Sequence, residues 1–112
     1  MITVNLRYTG KGNAALDYAK EMTESGTVAK IQAENGNLRY EYYLPLFDDS
    51  PDKTVLLIDQ WENQAAIDAH HASPMMTTIA ALREKYDLHM TVERFLSDES
   101  GVPDSDKKFI RK

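Results

Sequence analysis

Residues 54–62, Thr-Val-Leu-Leu-Ile-Asp-Gln-Trp-Glu, run straight into a helical stretch that starts twice, and this joint constrains the fold more than any other part of the chain. Side chains alternate between the faces of a strand, so Val55 and Leu57 point one way while Leu56 and Ile58 point the other. Both faces of this strand are therefore apolar. A sheet with one face in water would carry polar residues at every second position, so each face here needs a cover. Asn63 suits the N-cap of a helix over residues 64–71. Ser73-Pro74 supplies a second start, with serine as N-cap and proline at the first helical position. The helix is predicted to break near Ala72, next to the adjacent His70 and His71.

The remaining pattern surrounds that joint with a strand–helix–strand rhythm. In residues 2–8 the apolar Ile2, Val4, Leu6 and Tyr8 alternate with Thr3, Asn5 and Arg7, which predicts a strand. Asn13 then caps a helix carrying Ala15, Leu16, Ala19 and Met22 on one side and stopping near Ser25-Gly26. Residues 28–34 have weak periodicity and are left unassigned. After the Asn35-Gly36-Asn37 turn, residues 38–44 favour a second strand, which should pair with residues 54–62 as a hairpin. Met75, Met76, Ile79, Leu82, Arg83 and Tyr86 form one broad helical stripe, and Leu88, Met90 and Val92 alternate with His89, Thr91 and Glu93 in a last strand.

The order β-α-β-β-α-β is that of an α+β, ferredoxin-like fold, a four-stranded antiparallel sheet with both helices on one face. Residues 1–96 form the domain and 97–112 a polar C-terminal tail. The uncovered apolar sheet face predicts a homodimer packed sheet against sheet.

Composition narrows the function classes. The chain has 112 residues and a net charge of −5, with no cysteine. Nucleic acid and anionic membranes are unsuited as partners without a basic patch. Disulfides, thiolate nucleophiles and Cys-type zinc sites are ruled out. With Met1 leading directly into a strand and no long apolar run, a cytoplasmic location is expected.

Three spaced motifs carry a family likeness: Asn37-Leu38-Arg39-Tyr40-Glu41 after a Gly turn, Asp59-Gln60-Trp61, and Ala69-His70-His71-Ala72-Ser73-Pro74. The chain over residues 2–95 resembles the antibiotic-biosynthesis monooxygenase family of small dimeric α+β barrels. That resemblance implies a choice among cofactor-independent oxygenases of quinols and anthrones, heme-degrading enzymes, and an isomerase of a phosphorylated signalling molecule. The heme-degrading branch carries an Asn on the first strand, matched by Asn5, and a Trp and a His on the second long helix. A gapless count from Trp61 places those two positions at His70 and Ala80, and alanine cannot ligate heme iron. In the quinol-oxidising branch a His commonly follows the helix-starting proline. Met75 stands there in this chain, while the earlier His of the motif is present as His70.

Triplet dioxygen needs an electron donor before it reacts with closed-shell organic matter. The sequence offers neither a Gly-rich dinucleotide loop nor a spaced ligand cluster, so no cofactor and no metal are expected. The substrate must then be the reductant, as a deprotonated polyphenol can be. The protein has to supply a base, a donor for the developing oxyanion and a dry pocket. His70 is the candidate base, because imidazole titrates near neutral pH. Asn5 and Trp61 are candidate orienting groups, and Tyr40, Tyr42 and Met76 candidate substrate-lining groups.

The same residues also admit structural roles. His70 could bond across the helix break, Trp61 could be core, and backbone could satisfy Asn5. Two alternatives stand beside the oxygenase. One is a non-redox isomerase or lyase of a small polar metabolite, anchored by Arg83, Arg39 or Lys85. The other is a non-catalytic dimeric ligand-binding module.

Overall fold

The computed structural model describes residues 1–112. Its elements are β1 (Ile2–Thr9), α1 (Ala14–Glu24), α2 (Thr27–Gln32), β2 (Asn37–Tyr43), β3 (Thr54–Trp61), α3 (Gln64–His71), α4 (Met75–Lys85) and β4 (His89–Leu96), followed by a 3-10 turn at Asp104–Phe109. The strands form one antiparallel sheet in the order β2-β3-β1-β4. This is the predicted β-α-β-β-α-β topology, with each helical segment divided in two.

Strand alternation sets which residues meet the helices. In the β1–β3 register Leu6 lies opposite Leu57 and Tyr8 opposite Val55, whereas Asn5 lies opposite Ile58 and Arg7 opposite Leu56. The first set is buried beneath the helices with Tyr18, Met22 and Ile31, and Leu56 and Ile58 are half-buried on the open face. Burying a side chain of this size contributes ~1.5–3 kcal/mol, so this layer holds the helices on the sheet. The unassigned residues 28–34 include α2, whose Val28 and Ile31 are buried.

The helix break is where predicted. Proline lacks the N–H that would bond the His70 carbonyl, and its ring would clash with that carbonyl, so α3 cannot run on through Pro74. The Ser73 N–H bonds the His70 carbonyl instead, at 3.0 Å. Asn63 caps α3 as expected, its Oδ1 accepting from the Ala66 N–H at 3.0 Å.

Two other expected caps do not form. Asn13 makes no side-chain cap bond to α1. At α4 the N-cap is Pro74, and Ser73 Oγ is buried without a partner. The backbone of Ser73 belongs to the turn closing α3, and its carbonyl, not its hydroxyl, accepts from the Met76 N–H at 3.2 Å. The segment after Ser97, expected to lack periodic structure, contains the 3-10 turn and is exposed throughout its last residues. No helix is long and apolar enough to cross a membrane.

Candidate active site

A cavity of about 320 Å³ lies between the helix-facing side of the sheet and α3 and α4. That volume is at the small end of ligand-binding sites, roughly 300–1,000 Å³. Val4, Leu6, Leu57, Ile67, Ile79 and Val92 make most of its wall apolar, and Trp61, His70, Asp59 and Arg83 supply polar groups.

His70 reaches the cavity because of where α3 begins and ends. Ile67 and His70, three residues apart, are the two buried residues of the helix and share its inward face. His71 turns outward and is exposed, its ring 5.7 Å from that of His70 at the rim. The His70 ring is tilted by 31° against Trp61 with centroids 4.9 Å apart, and Tyr40 approaches edge-on at 6.5 Å.

His70 Nδ1 lies 2.9 Å from Glu34 Oε2 and 3.2 Å from Oε1. A carboxylate accepts only, so this contact assigns the hydrogen to Nδ1 and leaves a lone pair on Nε2. Burial pushes the His70 pKa below its usual value, outweighing the upward pull of Glu34. The ring is thus held neutral and oriented, with Nε2 free to accept a proton.

Glu34 itself is placed by a tight turn. Gly36 has φ +85°, and a Cβ there would come within 2.6 Å of the Ala66 Cβ on α3. The Gly36 carbonyl accepts from the Glu62 N–H at 2.9 Å, which fixes the turn against the start of α3. Only glycine permits both the backbone angle and the close approach.

Arg83 Nη2 donates to the Tyr8 hydroxyl at 2.7 Å, while its Nε is buried and has no partner. Asp59, 8% exposed, has a buried Oδ1 without a partner. Burial pushes its pKa up to about 7, opposed in part by the Trp61 indole N–H and aided by the charge of Glu34.

Of the residues singled out in the sequence, His70, Trp61, Tyr40, Met76 and Arg83 line this one cavity. Tyr42 does not; it lines a separate groove between α1 and the β2 edge with Leu16 and Leu44. Asn5 is a correction. It projects to the open face, between Ile58 and Glu93, because the cavity takes its neighbours Val4 and Leu6. The expected grouping of Asn5 with His70 and Trp61 therefore does not form within one protomer, and Asn5 Oδ1 is left buried without a partner.

Of the cations considered as anchors, Arg39 is paired with Glu41 and Lys85 with Glu21, both at the surface, and Arg83 faces the cavity. Glu34 and Asp59 were not singled out as site residues. Asp59 stood in the acidic-x-Trp motif, whereas nothing in the sequence linked Glu34 to a histidine 36 residues away.

No group of three or more His, Asp or Glu side chains is arranged to hold a metal ion. At the position where the heme-degrading branch carries its histidine, Ala80 offers no axial nitrogen.

The family model for antibiotic biosynthesis monooxygenases matches residues 1–82. The chain belongs to that family, whose fold is typically a dimeric α+β barrel. Solved structures share the architecture at low identity. A candidate antibiotic biosynthesis monooxygenase from Deinococcus radiodurans superposes with TM-score 0.73 at 17% identity, covering 88% of this chain and 94% of that one. Another antibiotic biosynthesis monooxygenase gives 0.69 at 23% identity over 92% and 100% of the two chains. SnoaB, a cofactor-independent oxygenase from Streptomyces nogalater, crystallised in a mutant form, gives 0.67 at 17% identity over 88% and 93%. No curated protein sequence matches the chain.

Proposed function

We propose that this protein is a cofactor-independent monooxygenase of a small aromatic, quinol- or anthrone-like substrate, working as a homodimer. The observation that carries the reading is the buried, oriented His70. Its Nδ1 is tied to Glu34 at 2.9 Å beside Trp61, within a mostly apolar cavity.

Each part meets a requirement of the chemistry. The apolar wall and the faces of Trp61 and Tyr40 suit a flat ring and keep water away from its anion. His70 Nε2 removes the acidic proton of the substrate, and Glu34 stabilises the imidazolium that results. The unpaired Arg83 Nε–H suits the oxygen on which negative charge develops. The substrate anion passes one electron to O₂, and the carbon radical and superoxide combine as a peroxide. A small polar metabolite would gain little from such walls.

The half-exposed Phe95 and the half-buried Leu56 and Ile58 on the open sheet face support a second copy as its cover. Family members commonly form dimers.

Oxygen-electrode measurements with an anthrone test the proposal. One O₂ consumed per substrate converted, with no added metal, flavin or heme and no turnover under argon, is the expected result. Conversion that continues under argon would overturn it in favour of isomerisation.

A further inference from the structure

Proton abstraction by His70 leaves a second titratable group in the cavity without a task. Asp59 lies on β3 two residues before Trp61, opposite Val4 on β1 and Tyr40 on β2. Its Oδ1 is buried with no partner, and of the five buried oxygens in that condition it is the one that belongs to a residue lining this cavity. The charged and titratable groups around the same space are Glu34 behind His70, His70 and His71 on α3, Arg83 on α4, Arg94 on β4 and Tyr40 on β2. None of them forms a hydrogen bond or an ion pair with Asp59. Arg83 is turned to Tyr8 and Arg94 to Gln64. A buried carboxyl that faces no paired cation is favoured in its protonated form, and burial keeps that proton on to about pH 7 against the opposing pull of the Trp61 indole N–H.

We propose that Asp59 is the general acid of the oxygenation, donating its proton to the distal oxygen of the substrate peroxide as the O–O bond breaks. This rests on the oxygenase reading above and adds the step that reading lacks. For a methylene substrate R₂CH₂, the peroxide anion first regains the proton held by His70 and becomes R₂CH–OOH. Neutral His70 then takes the remaining C–H proton, the C–H electron pair closes the carbonyl, and the O–O bond breaks. The leaving oxygen, carrying its own hydrogen, accepts the proton of Asp59 and departs as water. Proton return from His70 to Asp59 resets the site. The sum is R₂CH₂ + O₂ → R₂C=O + H₂O, with carbon oxidised by four electrons and dioxygen reduced by four.

A site without that acid still forms the peroxide but breaks it down slowly. The test follows O₂ uptake, organic hydroperoxide and carbonyl product together for wild type, Asp59→Asn and Asp59→Glu. In Asp59→Asn, O₂ uptake in the first turnover persists and hydroperoxide accumulates, with carbonyl formation slowed by ~10²-fold. Asp59→Glu, which keeps an acid, recovers part of the carbonyl rate. In wild type the hydroperoxide fraction rises as pH is taken from 6 to 8.5 through the pKa of about 7, which tests the inference even where a variant fails to fold. A hydroperoxide fraction that is flat with pH and unchanged in Asp59→Asn overturns the role of Asp59 while leaving the oxygenase standing. Absence of O₂ uptake in wild type overturns the oxygenase reading itself.

Discussion

Where α1 and α2 cross the sheet, the inward side chains Tyr18, Met22 and Ile31 are completely buried against Tyr8 and Val55. Where α3 and α4 cross the same sheet, the inward residues include His70 and Arg83, and the strand beneath their far edge, β4, is exposed along its whole length. Met90 and Val92 of β4 turn toward the helices yet remain 44% and 54% exposed. The first half fills its interior with apolar side chains and leaves only a groove at the β2 edge, while the other keeps a cavity lined by His70, Asp59 and Arg83. The difference places stability on the α1–α2 side and chemistry on the α3–α4 side, and each substitution below is aimed at one side of that division.

The largest effect on stability is expected from the filled half. Ile31→Ala should lower unfolding free energy by ~2–5 kcal/mol, read by chemical denaturation, with kcat of the folded fraction unchanged. A comparable loss of kcat per folded molecule would show that the two halves are not separable.

Much of this division follows from local pattern, and its limits are physical. The strands follow from alternation and the broken helix from Ser73-Pro74, because proline removes an N–H wherever it stands. Residues 28–34 carry no readable period because α2 is only six residues long, and tertiary burial of Val28 and Ile31 holds it. The alternation of β1 already grouped Asn5 with Thr3 and Arg7, away from Ile2, Val4, Leu6 and Tyr8. What alternation could not supply was the register that puts Val4 and Leu6, not Asn5, on the Trp61 side. Glu34 was hidden for a similar reason, since its contact with His70 depends on how the Gly36 turn docks on Ala66.

The cavity half should show its polarity through pH. The folded pKa of Asp59 is raised from 3.8 to about 7, so the folded state keeps a proton that the unfolded chain has released. The stability this contributes is fully present below pH 3.8 and is lost as pH rises through about 7. Asp59→Asn removes that dependence. Between pH 5 and pH 8 the variant should gain on wild type by on the order of 2 kcal/mol, measured from melting curves at both pH values. Parallel behaviour of the two proteins would place Asp59 in a solvated setting.

A smaller effect is expected at the joint between the halves. Gly36→Ala imposes about 1–2 kcal/mol of backbone strain and pushes the Gly36 turn away from Ala66. With Glu34 displaced from His70, kcat should fall ~10-fold and the pH profile of kcat should shift, while Ile31 and its neighbours stay packed. A variant that melts earlier with an unchanged profile would separate Glu34 from catalysis.

The central claim is that His70, and not its neighbour, is the base, and paired O₂-uptake assays on His70→Ala and His71→Ala address it most directly. The two rings are only 5.7 Å apart, but His70 is 4% exposed and bonded to Glu34 while His71 faces solvent. Loss of the buried base should lower kcat by ~10²–10⁴-fold in His70→Ala, with His71→Ala staying within a few-fold of wild type. Equal losses in the two variants, or none in either, would contradict the account.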